Sequence, residues 1–181
     1  MTVEKANSSR IPKTNRMSRV ITFSRVFPSY HPKKGEPTFF VEKIYKSLYL
    51  MKAVPKEIVE AFNFEIMNDD AVAPKHHTIR AGNRWKVGDN FSPRVWSGKP
   101  YQSKQVTIAS DIEIKKIWTF EISVSGYYSL NENYKPYLTA KQIIEIAKND
   151  GLDINDFFAW FEKTKRPFLG QVICWNENIN Y

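Results

Sequence analysis

Residues 75 to 80 read Lys75-His76-His77-Thr78-Ile79-Arg80, and a Gly88-Asp89 turn follows. This segment is typical of a loop that enters a strand and then turns. Side chains two residues apart on an extended chain point to the same face, so Thr78 and Arg80 are predicted neighbours and Ile79 can point into a core. A hydroxyl beside a guanidinium offers an acceptor and donors suited to a polar planar group or a phosphate.

Helical periodicity flanks this segment on both sides. Apolar residues spaced at 3.6 residues predict helices from Phe39 to Met51 and from Pro55 to Met67. Thr139 and Gln142 have the spacing of a capping box, which predicts a helix that ends near Asp150-Gly151. A further helix is predicted from Ile154 to Phe161, with Asp153 as its N-cap.

Runs of β-branched and aromatic residues predict the strands of the domain. The predicted strands are Arg19 to Val26, the segment that enters Thr78 to Arg80, Phe91 to Trp96, Gln105 to Ser110, Ile112 to Val124 and Phe168 to Trp175. The resulting order, β, α, α, β, β, β, β, α, α, β, predicts an α+β domain. We expect its antiparallel strands to form a small curved barrel with helices packed around it.

The length and composition predict a single globular domain behind a basic tail. The chain has 181 residues, of which 42% are hydrophobic and 14% aromatic, enough for one substantial core. Residues 1–17 carry four cations among polar residues and are expected to be a mobile tail. Residues 18–181 are predicted to form the domain, with a helical insertion at about residues 39–67.

The charge balance favours an anionic partner, and other partner classes have little support. Lys and Arg outnumber Asp and Glu by 27 to 19, which gives a net charge of +8 and attracts polyanions such as RNA. The single Cys174 excludes an intramolecular disulfide and lies in an apolar run, where we expect a buried, inert thiol. Neither a metal site nor a cofactor is expected from one Cys and three His.

No apolar run of about 18 residues and no signal peptide is found in the sequence, so we expect a cytoplasmic protein without membrane contact. The oligomeric state is left open.

In their order, the motifs resemble the ASCH family, whose members have a PUA-like β-barrel. The matching pieces span nearly all of the predicted domain: Ile21-Thr22-Phe23, Lys75-x-x-Thr78-Ile79-Arg80, Gly88-Asp89, Asp150 to Phe157, and Gly170 to Trp175. The helical insertion and the loop around Lys99 are larger than in compact members of that family.

The resemblance implies two functions. Small bacterial members are amidohydrolases that remove the acetyl group from N4-acetylcytidine with a Lys, a Thr and a Glu. By position, the Lys corresponds to Lys75 and the Thr to Thr78, whereas the acidic residue falls at Asp150, so the sequence departs from the Glu of that pattern. Other members are thought to bind RNA, and some related ones cut it.

The amidohydrolase chemistry imposes conditions on these residues. Thr78 would be the nucleophile, Lys75 the base, and Asp150 the acid or the group that orients Lys75. Lys75 must lose a proton that a free lysine holds with a pKa of about 10.4. Lys75 and Thr78 would face opposite sides of a regular strand, so they can meet only if the chain turns at Lys75, where Pro74 makes a boundary plausible.

Cations alternate with aromatic residues in two further segments, Arg84-Trp85-Lys86 and Arg94-Val95-Trp96-Ser97-Gly98-Lys99-Pro100-Tyr101. This pattern suits single-stranded RNA or an unpaired base, on which aromatic rings stack. In the alternative interpretation Trp85 and Trp96 fill the barrel and the cations are solvated. His76 and His77 are adjacent on a strand, so at most one, assigned here as His77, can line the same cleft.

Three functional hypotheses follow. The first is recognition of RNA or a nucleobase in a cleft built from Lys75, Thr78, Arg80 and Asp150, with the Trp85 and Trp96 loops at its rim. The second is deacylation of an N4-acylated cytosine or cytidine in the same cleft. The third is a protein-interaction adaptor that uses the aromatic loops.

Overall fold

The computed structural model describes residues 19–55, 57–58, 69, 72–130 and 137–181. These residues form a mixed α+β structure with three helices and two four-stranded sheets, which confirms the predicted α+β class. The predicted tail at residues 1–17 lies outside the described residues, and so does nearly all of the predicted helix at residues 55–67.

The elements within the described residues follow one another along the chain as β1 (Arg19–Phe23), α1 (Phe40–Leu50), β2 (His77–Ala81), β3 (Asn90–Trp96), β4 (Gln105–Thr107), β5 (Ile112–Glu113), β6 (Lys116–Ile122), β7 (Tyr128–Leu130), α2 (Ala140–Asn149), α3 (Ile154–Phe161) and β8 (Phe168–Cys174).

The first sheet is built around β3. Strand β1 pairs with β3 in parallel, with Arg19 opposite Phe91, whereas β4 and β5 pair with β3 in antiparallel fashion at its two ends. The predicted strand from residue 19 to 26 ends earlier, at Phe23. The Ser24 carbonyl accepts a hydrogen bond from the Thr38 hydroxyl instead of continuing a ladder.

The second sheet has the order β2-β8-β6-β7, and all its pairs are antiparallel. Strand β8 lies between β2 and β6 and is buried from Gly170 to Cys174. The predicted strand from 112 to 124 is divided into β5 and β6, because the Lys115 amide turns to the Cys174 carbonyl at 2.8 Å. Burial raises the pKa of the Cys174 thiol to about 11, in keeping with the inert thiol expected there.

The described strands form two separate sheets and do not close into a barrel. Strands β1 and β2 each end the order of their own sheet. Between them, an Arg80 guanidinium nitrogen donates to the Thr22 carbonyl at 2.7 Å. A side chain, and not a backbone ladder, therefore connects the two edges.

The helices begin where local capping predicts. The Thr139 hydroxyl accepts from the Gln142 amide, and the Gln142 side chain accepts from the Thr139 amide, so the predicted capping box is present at α2. The Asp153 carboxylate caps α3 by accepting from the Asp156 amide at 2.9 Å. In the part of the chain that the structure describes, no helix has both the length and the apolar character needed to span a membrane.

Candidate functional site

Lys75 and Asp150 form a buried ion pair at the floor of a cleft. The Lys75 ammonium donates to the Asp150 backbone carbonyl and to its carboxylate oxygen Oδ1, each at 2.6 Å. The Lys75 side chain is 2% exposed and that of Asp150 is 8% exposed. The structure thus brings together two residues that the sequence separates by 75 positions. The Asp150 side chain is long enough to reach Lys75 directly.

Backbone contacts explain this reach. Lys75 lies outside the regular strand β2 and pairs with Asp150 as an isolated β-bridge. The Lys75 amide donates to the Lys43 carbonyl of α1 at 3.0 Å, and the His76 amide donates to the Asn149 carbonyl at the end of α2 at 2.7 Å. The chain is therefore not a regular strand at Lys75, and both Lys75 and Thr78 line the same cleft.

A glycine turn holds Asp150 in this place. Asp150 is the C-cap of α2, and Gly151 follows with a φ of +75°, a conformation that costs little only for glycine. The Lys43 ammonium donates to the Gly151 carbonyl at 2.6 Å. Lys43 of helix α1 therefore contacts the main chain on both sides of the ion pair. Its carbonyl accepts from the Lys75 amide, and its side chain donates to the Gly151 carbonyl.

Burial and charge set the protonation of the pair. Burial lowers the pKa of Lys75 to about 8, although the Asp150 carboxylate acts in the opposite direction. Burial would raise the pKa of Asp150, but the charge of Lys75 and the contact with His77 bring it below its usual value. Asp150 is therefore ionised at neutral pH, and Lys75 titrates close to neutrality.

The two histidines point to different surroundings, although His76 lies just before strand β2. His77 Nδ1 lies 3.5 Å from Asp150 Oδ1, and burial lowers the pKa of this imidazole. His77 is fully buried behind Asp150 and does not line the cleft. His76 Nδ1 faces the Ser47 hydroxyl at 2.7 Å and the Asn176 amide nitrogen at 3.1 Å, so its contacts are structural.

The cleft has a volume of about 190 Å³ and lies between the edges of the two sheets. This is smaller than the roughly 300–1,000 Å³ of pockets for drug-sized ligands, so it suits one small group. Its wall combines polar and aromatic side chains: Thr22, Phe23, Ser24, Phe40, Lys75, Thr78, Ile79, Arg80, Trp96, Pro100, Tyr101, Asp150, Trp160 and Phe161. Within the described residues, the Thr78 hydroxyl makes no hydrogen bond that would occupy it.

Arg80 retains hydrogen-bonding capacity on the cleft wall. Its guanidinium lies 5.3 Å from the centre of the Phe23 ring and donates to the Thr22 carbonyl. The buried Nε makes no hydrogen bond within the described residues. Burial lowers the pKa of Arg80 and the Asp150 charge raises it, but a guanidinium stays charged at any physiological pH. A planar acceptor in the cleft would find donors here.

Six of the residues expected at the site line the cleft: Lys75, Thr78, Arg80, Trp96, Tyr101 and Asp150. Five others lie elsewhere, namely His77, which is buried behind Asp150, and four residues outside the cleft. Trp85 is buried against Phe91 in the core, and the exposed Arg84 lies over the Trp85 ring. Arg94 contacts Ser92 and Gln105 in the first sheet. Lys99 belongs to the loop after β3 and does not line the cleft.

Sequence reasoning missed the aromatic residues that complete the cleft. The Lys75 ammonium lies 4.3 Å from the centre of the Phe40 ring. Trp160 of α3 packs against Phe40, with 5.6 Å between the two ring centres. Phe40 belongs to the predicted helix that begins at Phe39, and it is also buried in the core. No local pattern distinguishes an aromatic residue that faces the core from one that faces a cleft.

The cleft is therefore a small, positively charged site with a titratable lysine, an unoccupied hydroxyl and aromatic walls. Among the described residues, no group of three or more His, Cys, Asp and Glu side chains could hold a metal ion. Comparisons with protein-family models, with curated proteins and with solved structures found no match to this chain.

Proposed function

We propose that this protein recognises a nucleobase, free or within RNA, in the cleft between β1 and β2. The observation that carries the proposal is the composition of one small cleft. Arg80 supplies donors for the polar edge of a planar ring, and Trp96 supplies a ring that can stack on its face. Aromatic stacking combined with hydrogen bonds to base edges is the common mode of recognition for unpaired bases.

Charge and sequence order support the same proposal. Two cations and one carboxylate line the cleft, and the whole chain has a net charge of +8, which favours an anionic nucleotide over a cationic ligand. The order of the Lys75, Thr78, Arg80 and Asp150 motifs supports a PUA-like, ASCH-type fold as the finer part of this proposal.

Calorimetric titration with the four ribonucleosides and N4-acetylcytidine tests the proposal. We expect one of them to bind wild type, and Arg80→Gln to weaken its binding by about tenfold or more, because a hydrogen bond to a charged group contributes about 1.5–3 kcal/mol. Arg84→Gln is the matched control, since Arg84 is exposed and outside the cleft. Equal losses in the two variants would point to general charge attraction and against the cleft.

A second candidate function, hydrolysis of an N4-acylated cytosine, has support from one specific feature. With the pKa of Lys75 lowered to about 8, about one lysine in ten is neutral at pH 7, compared with roughly one in 2,500 for a free lysine. A neutral Lys75 can take the proton of Thr78 as its oxygen attacks the acyl carbon. The Lys75 ammonium then protonates the departing N4 amine, and water hydrolyses the acyl–Thr78 ester.

In this reaction Asp150 orients Lys75. The acid is the Lys75 ammonium, because an Asp150 with a lowered pKa carries no proton near neutral pH. Arg80 would stabilise the oxyanion that develops on the acyl group. The adaptor hypothesis finds no comparable feature at the site.

Turnover of N4-acetylcytidine, followed by chromatography, tests this second function. We expect wild type to release cytidine and Lys75→Ala to release none. The rate should rise with pH and level off above about pH 8, since the base must be neutral to act. A rate that falls through this range, or equal turnover by Lys75→Ala, would remove Lys75 from the mechanism.

A further inference from the structure

The loop between β3 and β4 places an exposed aromatic ring at the mouth of the cleft. Tyr101 lines the cleft, yet it is 88% exposed. Large aromatic residues usually bury much of their surface in a folded protein. Most of the Tyr101 ring therefore faces outward, where a second group outside the cleft can reach it.

The backbone at Tyr101 is held in an unfavourable conformation. Its φ is 63°, in the left-handed region that disfavours residues with a side chain. The surrounding loop maintains it: the Ser97 amide donates to the Lys104 carbonyl at 2.9 Å, and the Ser103 hydroxyl donates to the Lys99 carbonyl at 2.9 Å. Such strain in an ordered loop is often a feature of binding sites.

Tyr101 continues an aromatic surface that starts inside the cleft. Its ring centre is 5.3 Å from that of Trp96, and the two planes are inclined by 50°. The same loop carries Lys99 and Lys104, which can approach phosphates. A cleft of about 190 Å³ holds one base, so a neighbouring nucleotide would have to lie outside it, over Tyr101.

We propose that Tyr101, backed by Trp96, stacks on the base next to the one in the cleft, so that the ligand is single-stranded RNA and not a free nucleoside. This inference rests on the proposed recognition of a nucleobase by the cleft. It adds a second subsite, and it assigns to Tyr101 a contact that only a polynucleotide makes.

Calorimetric titration compares the best-binding nucleoside with a trinucleotide that carries the same nucleoside between two adenosines, at one salt concentration. We expect wild type to bind the trinucleotide more tightly. Tyr101→Ala should weaken trinucleotide binding by about 5- to 150-fold, the range for loss of one stacked base, and nucleoside binding by clearly less. Tyr101→Phe should retain the wild-type preference, because the ring makes the contact.

Tyr127→Ala is the matched control, since Tyr127 is also an exposed tyrosine (56%) and does not line the cleft; both affinities should remain unchanged. Equal affinity of wild type for nucleoside and trinucleotide would overturn the second subsite and leave nucleobase recognition intact. An equal loss for both ligands in Tyr101→Ala would place Tyr101 inside the first subsite instead. If wild type binds neither ligand, both the proposed function and this inference are wrong.

Discussion

At the scale of single residues, the site depends on two charges that are removed from water. An isolated buried charge is costly, and it is tolerated because its partner and additional hydrogen bonds compensate for the lost hydration. Lys75 has both, since Asp150 offers a carboxylate and a carbonyl oxygen and Phe40 offers its ring face. The ion pair therefore contributes to the stability of the fold as well as to the cleft.

Removal of one partner should consequently destabilise the fold. We expect Lys75→Met to lower the free energy of unfolding by about 3–5 kcal/mol at pH 7, because it leaves the Asp150 carboxylate buried without its cation. Urea denaturation of Lys75→Met, Asp150→Asn and the double variant measures this effect. The double variant should lose less than the sum of the two single losses. Additive losses would mean that the two charges do not depend on each other.

His76 predicts a different effect, on stability at acid pH. The Asn176 amide nitrogen, which can only donate, faces His76 Nδ1 at 3.1 Å, and the Ser47 hydroxyl, which accepts from the Trp175 indole, can donate to the same nitrogen. A protonated Nδ1 would meet this donor and the Asn176 amide, and the site therefore requires a neutral ring. Burial lowers the pKa of His76 to about 4.

The sign of this effect follows from proton uptake. As pH falls from 6.5 to 4, the unfolded chain binds a proton at His76 before the folded chain does, so stability is lost over this range, by up to about 3 kcal/mol. Thermal denaturation of wild type and His76→Gln between pH 7 and 4 measures it. The variant should show a shallower decline, whereas parallel curves would mean that His76 contributes nothing to the acid sensitivity.

At the scale of elements, the turn after α2 connects the helix to the site. A Cβ at Gly151 would lie 3.2 Å from Lys75 Cβ and 3.2 Å from Lys43 Cδ, so Gly151→Ala adds crowding to the cost of a positive φ. We expect it to destabilise the fold by more than the roughly 1–2 kcal/mol of the conformation alone, and to weaken ligand binding by moving Asp150 away from Lys75.

Gly88→Ala is the matched control for this prediction. Gly88 has a φ of +84°, and a Cβ there would meet nothing within 4 Å. Gly88→Ala should therefore lower the free energy of unfolding only by the cost of a positive φ, and it should leave ligand affinity unchanged. Equal losses of stability and equal affinities in the two variants, measured by urea denaturation and titration, would show that the contacts at Gly151 do not position the ion pair.

The elements also show which parts of the structure the sequence could predict. The helix starts at Thr139 and Asp153 were predictable because capping involves residues three positions apart. The proximity of Lys75 and Asp150 could be expected only through the resemblance to a family, since a β-bridge between distant segments leaves no local pattern. Trp85 and Trp96 both lie in segments that contain cations, yet one fills the core and the other lines the cleft.

At the scale of the whole molecule, the two sheets and the charge determine what can enter. The cleft opens where the sheet edges β1 and β2 face each other, an arrangement that strand prediction could not supply because it depends on pairing between distant segments. The net charge of +8 acts over a longer range. It attracts any polyanion without regard to sequence, whereas the cleft discriminates between bases.

Salt should weaken the attraction between the charged protein and RNA without changing the preference of the cleft among bases. For single-stranded RNA, the logarithm of the binding constant should fall linearly with the logarithm of salt concentration, by about 0.7 for each phosphate contact. We expect Lys99→Gln, in the loop beside Tyr101, to make this slope shallower by about 0.7 and to leave the preference among bases unchanged. Fluorescence anisotropy of a labelled oligonucleotide between 50 and 300 mM salt, roughly the range in which such contacts are screened, measures the slope.

Lys141→Gln removes the same charge at a distant position and serves as the control. Lys141 is exposed in the first turn of α2, about 14 Å along the helix axis from Asp150 at 1.5 Å per residue. Its loss lowers the net charge as much as Lys99→Gln does, but it should leave the slope unchanged because no phosphate lies beside it. Equal slopes for the two variants would mean that the RNA is held by the overall charge of the protein and does not follow the loop out of the cleft.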